Sequence, residues 1–129
     1  MNKFGFTTAW IFASVTADDG ADLATLLGTA DSLNHAIPTF EEVTRGLKSL
    51  HACGLINIGD SLIQLTSHGR AVADAGYARR GGRFAIPDNM RKSLDAALHP
   101  EIDSDPDLSF ITEESLSAAY ETYRKMLRI

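Results

Sequence analysis

A chain of 129 residues with 44% hydrophobic and 22% charged residues has the balance of a soluble globule and the length of one domain with an appendage, with no internal repeat or low-complexity tract. The net charge of −5 is a poor one for a general polyanion binder. The single cysteine, Cys53, excludes an intrachain disulfide and points to a reducing, cytoplasmic setting.

The charge is unevenly spread. Residues 1–76 carry four cations and eight acids, and residues 93–129 carry three cations and eight acids. Between them, residues 77–92 hold Arg79, Arg80, Arg83, Arg91 and Lys92 against Asp88 alone. One basic segment therefore lies between two acidic ones. The opening MNKFGFTTAWIFASVTADDG lacks the charge pattern and cleavage residues of a signal peptide, and no stretch reaches the ~18 apolar residues of a membrane span, so no membrane partner is expected.

In chain order, the first helix is expected from Thr7 or Thr8 to Ala17, with Phe6, Trp10, Ala13 or Ser14, and Ala17 on its apolar face, which Ile11 and Val15 widen. Asp18-Asp19-Gly20 ends it. A second helix follows, capped by Asp22, with Leu23, Leu26, Leu27, Ala30 and Leu33 turned inward. It stops near Asn34, because Ile37 precedes Pro38 and is pushed toward extended backbone.

Thr39-Phe40-Glu41-Glu42 fits a capping box and starts the third helix. Phe40, Val43, Leu47 and Leu50 form its buried stripe, and Gly54 is placed to close it in the left-handed conformation. The runs Leu55–Ile58 and Leu62–Leu65, separated by Gly59-Asp60-Ser61, read as a β-hairpin. Such a hairpin is marginal alone and needs helical cover, for which Trp10 is the bulky candidate. Thr66 then caps a fourth helix ending at Gly76.

Beyond Gly76 the expectation is a basic loop over residues 77–87, a helix from about Asp88 to Leu98, and an acidic linker from His99 to Asp107. The buried face of that helix is expected to carry Met90, Leu94, Ala97 and Leu98. A last helix is capped by Thr112 and runs to about Leu127. The division is residues 1–76 as one domain and residues 77–129 as a basic loop with a helical extension.

Helix, helix, turn, helix, hairpin, helix resembles the winged helix-turn-helix domains of bacterial MarR-like and PadR-like transcription regulators. The residues that carry the resemblance run from Thr39 to Gly54-Leu55-Ile56, and from Leu65-Thr66 through Gly69 to Val72. The resemblance implies a mainly α fold with a small β-hairpin, plus C-terminal helices. It also implies duplex DNA as partner, with the third helix in the major groove and the wing on flanking backbone. On this reading Thr39, Thr44, Arg45, Lys48 and Ser49 are candidates to touch DNA. Glu41, Glu42 and the wing-tip Asp60 support the alternative of a winged helix used for protein interaction, because DNA affinity rests largely on neutralised phosphates.

Arg79, Arg80 and Arg83 are candidates for phosphate or minor-groove contact, or for pairing with the acids of residues 101–107. Leu116, Ala119, Tyr120, Tyr123 and Leu127 share one face of the last helix and are candidates for a homodimer contact, or for folding back onto Trp10 of the first helix. No metal or cofactor is expected. His51 and Cys53 stand about 200° apart around a helix, and no HxxxH or CxxC spacing occurs. No phosphate-loop or nucleophile-elbow motif is present, so the chain reads as a binding module and not as an enzyme.

Overall fold

The computed structural model describes residues 4–127. They form a mainly helical fold with a small antiparallel hairpin: α1 (Phe6–Ala13), α2 (Leu23–Asn34), α3 (Phe40–Ala52), β1 (Ile56–Gly59), β2 (Leu62–Leu65), α4 (Ser67–Tyr77), α5 (Ile86–Ala96) and α6 (Glu113–Met126). A short 3-10 turn, Arg83–Ala85, precedes α5.

The first helix is shorter and more deeply placed than its spacing suggested. Ala9, Trp10, Ile11, Phe12 and Ala13 are all buried in succession, so α1 has no solvent face at its C-terminal end and packs against α2, α3 and α5. It stops at Ala13 instead of Ala17, where Ser14 takes the cap position and its hydroxyl donates to the Trp10 carbonyl. Phe6 is exposed. The Trp10 indole N–H donates to the Ala30 carbonyl of α2 at 2.9 Å, so Trp10 is tied to α2.

The next two helices start as their caps dictate. Asp22 accepts from the Thr25 amide. Thr39 and Glu42 complete both bonds of a capping box at α3. Val43, Leu47 and Leu50 are buried, and Gly46 lies so close to α1 that a Cβ there would sit 3.0 Å from Ile11. Gly54 ends the helix at φ +70°, where a side chain would be strained.

In the hairpin Ile56 pairs with Leu65 and Gly59 with Leu62. The turn is therefore the two residues Asp60 and Ser61, both left-handed, with Gly59 belonging to β1. Ala21 exchanges two backbone hydrogen bonds with Ile63, at 2.8 and 2.9 Å, which ties the start of α2 to the outer edge of β2.

The two sequence signatures meet at the hairpin neck. The Thr66 hydroxyl donates to the Gly54 carbonyl at 2.6 Å and accepts from the Gly69 amide at 2.9 Å. The Thr66 amide donates to the Leu55 carbonyl. A Cβ at position 69 would run into that same carbonyl, which is why glycine stands there.

Beyond Gly76 the chain packs back onto the preceding helices. Met90 and Leu94 of α5 are fully buried against α1 and α4, and the Ser93 hydroxyl donates to the Val72 carbonyl of α4. With Pro87 in its first turn, α5 begins and ends about two residues earlier than expected. Leu98 thus falls beyond the helix and is 95% exposed, where a buried position was expected. The acidic linker is pinned as well: Ile102 donates to the Ala52 carbonyl, and the Pro100 ring lies over Gly54. Helix α6 then packs on α2.

Candidate functional site

Helix α3 presents Arg45, Lys48 and Ser49 to solvent. The other two α3 candidates are engaged within the helix. Thr39 is spent on the capping box, and the Thr44 hydroxyl donates to the Phe40 carbonyl at 2.9 Å. Glu41 forms no ion pair with Arg45 among the described residues.

The described cations divide sharply. Arg70, Arg91, Lys92 and Arg124 each pair with a carboxylate. Arg45, Lys48, Arg79, Arg80, Arg83 and, near the end of α6, Lys125 form no ion pair among the described residues. The arginine loop therefore does not pair with the acids of residues 101–107. It leans on α2: Arg83 donates to the Ser32 hydroxyl at 3.1 Å, and the Phe84 ring sits 4.9 Å from His35, the left-handed residue that ends α2. The loop thereby meets the turn between α2 and α3. Ser32, His35 and Phe84 were missed by a reading that counted cations and passed over the aromatic residue following Arg83.

The hairpin tip, Asp60 and Ser61, is exposed. Ser61 shares a shallow groove with Asp22 and Leu23 of α2, Phe110, and Ser115, Ala119 and Thr122 of α6. Near the start of α3, Glu113 lines a second groove with Ile37, Pro38 and Phe40.

The face of α6 proposed for a partner lies mostly against its own chain. Leu116 is buried, and Ala119 and Tyr120 pack on the core. The Tyr123 ring crosses Gly28 of α2, and its hydroxyl donates to Asp31 at 2.7 Å. That bond to a carboxylate, reinforced by partial burial and the charge of Asp31, pushes the Tyr123 pKa up to about 12. The fold-back is onto α2 and not onto Trp10. Leu127 is 66% exposed.

Among the described residues no three His, Cys, Asp or Glu side chains gather as a metal set. His99 Nε2 lies 2.7 Å from the Leu94 carbonyl and must donate to it, which leaves His99 Nδ1 to accept from His68 Nε2 at 2.8 Å. Burial, then the neighbouring His99, lowers the His68 pKa. Burial raises that of the Cys53 thiol, which opposes thiolate chemistry there. No described helix is long and apolar enough to cross a membrane.

Comparison of the chain with protein-family models, curated proteins and solved structures yielded no match.

Proposed function

We propose that the chain is a winged helix-turn-helix DNA-binding protein acting in cytoplasmic transcription regulation, with α3 as the groove-entering helix and the arginine loop on flanking phosphates. The observation that carries the reading is the set of unpaired cations. In a chain with 17 acids and 12 bases, Arg45, Lys48, Arg79, Arg80 and Arg83 form no ion pair among the described residues, while four other described cations are paired. Cations that neutralise phosphates supply most of the affinity of such an interface. The hairpin following α3, and the edge bond from Ala21 to Ile63, fit the same architecture.

The test is fluorescence anisotropy on a random-sequence duplex across a salt series. Arg45→Ala and Lys48→Ala should each weaken binding, and each should lower the salt slope by about 1. Absence of salt-dependent binding at low ionic strength would sink the DNA reading. The acidic groups at the same surface favour a second reading, a winged helix that docks another protein. Glu113 flanks the start of α3, and Asp60 stands at the hairpin tip. Two half-sites call for a homodimer. Its contact would have to use surface other than the α2-facing side of α6, or require α6 to leave α2.

A further inference from the structure

The segment Tyr77-Ala-Arg-Arg-Gly-Gly-Arg-Phe84 carries more than charge. Phe84 is 60% exposed, whereas Tyr77, the last residue of α4, is 43% exposed with its hydroxyl 2.7 Å from that of Thr16. The Arg83 guanidinium lies 5.8 Å from the Phe84 ring centre, and the His35 ring centre is 4.9 Å away with its plane tilted 41°. The loop is held firmly. The amide of Asn89, itself buried, donates to the Arg80 carbonyl at 3.2 Å, and the Ala85 amide donates to that of Gly82. Gly81 and Gly82 take φ values of +137° and +78°, and a Cβ on Gly81 would meet Ala85 at 2.6 Å. Nor is the charge cancelled from below: Asp88, in the first turn of α5, is taken by Arg91 at 2.9 Å and Lys92 at 3.5 Å.

We infer that this loop is a binding site for single-stranded nucleic acid, with a base stacked on Phe84 and the backbone phosphates on Arg79, Arg80 and Arg83. An exposed ring beside unpaired guanidinium groups on a pre-set loop suits an unpaired base, whose flat face a duplex keeps hidden. A polyanion without bases would use the arginines and leave Phe84 idle. The site uses no residue of α3, although it shares the arginine loop with the duplex reading above.

Anisotropy with labelled oligothymidine, and with an abasic strand of equal length, tests it on the full chain at low salt. The parent should favour oligothymidine, and Phe84→Ala should lower that affinity about tenfold while leaving the abasic strand unchanged. Phe84→Trp should retain the preference. Replacing Arg79, Arg80 and Arg83 by Ala should weaken both strands and lower the salt slope by about 2. Equal binding of the two strands by the parent, no binding of either, or indifference to Phe84→Ala in a variant that melts like the parent overturns the inference. Duplex binding that is lost with Arg45 while single strands are ignored would overturn this site alone, and single-strand binding without duplex binding would overturn the α3 reading alone.

Discussion

Helices α5 and α6 follow the same rule of sequence and end at different depths. Each carries apolar residues on one face. In α5 Met90 and Leu94 are enclosed completely, whereas in α6 Leu116 alone is buried and its neighbours are half-covered. The difference lies in what each helix faces. α5 meets α1, whose consecutive apolar residues leave a second side to be covered, and reaches it directly after α4 and a short turn. α6 arrives after a long coil and meets the outer side of α2, where Gly28 and Asp31 offer a shallow seat and a hydrogen bond. An amphipathic pattern states that a face will be covered; the facing helix decides how deeply.

Core truncation should separate the two helices most strongly. Leu94→Ala should cost about 2–5 kcal/mol and lower the midpoint of the whole unfolding transition. Leu116→Ala should cost about half of that or less, since Leu116 borders an open groove. Equal midpoint shifts would mean that α6 is as much a part of the core as α5.

The capping boxes sharpen the same contrast. Thr39→Ala should remove about 1 kcal/mol from global stability, because α3 lies in the core. Thr112→Ala removes a comparable bond, yet its effect should show as faster amide exchange confined to α6, with the melting temperature nearly unchanged.

A smaller effect is expected from Gly28→Ala. The added Cβ would stand 2.9 Å from the Tyr123 ring, so the ring must swing away and release Asp31. The loss should be on the order of 1 kcal/mol, read as faster exchange in α6 while α5 stays protected. Uniform acceleration in both helices would contradict a separable α6.

The smallest signal is spectroscopic. Tyr123 has its pKa raised from 10.0 to about 12, so its share of α6 docking is present below pH 10 and fades as pH rises toward 12. Tyrosinate absorbance should show a late-titrating step that is absent in Tyr123→Phe.

Much of the fold could be read from short-range chemistry. Asp22, Thr39, Thr66 and Thr112 cap the helices they were expected to cap, and Gly54 closes α3. The failures all lie where long-range packing decides. The spacing of Phe6, Trp10 and Ala17 suggested a one-sided helix, but the run from Ala9 to Ala13 is enclosed on every side, and enclosure has no period. Leu98 fits the α5 stripe by spacing, though the chain has already left the helix there. The acids of residues 101–107 were natural partners for the arginine loop by charge, but the chain brings them elsewhere. At the candidate site, solvent exposure of Arg45 and Lys48 followed from the α3 periodicity. The contact of Phe84 with His35 joins residues far apart in sequence, and no local pattern announces it.

With Thr66 and Gly69 clamping the base of the hairpin, strand alignment is set at the neck and not at the turn. Asp60 and Ser61 hold left-handed conformations with no glycine between them, so the tip is not optimised for pairing. Residues 56–65 are thus held at the stem by Thr66 and Gly69 and in mid-strand by the Ala21–Ile63 pair, with only the tip left unattached. The stem tolerates little change, while the tip can be lengthened or exchanged at a loop-closure cost of only about 0.6 kcal/mol per doubling. Variation in what the hairpin touches can then accumulate without disturbing the helices that carry it.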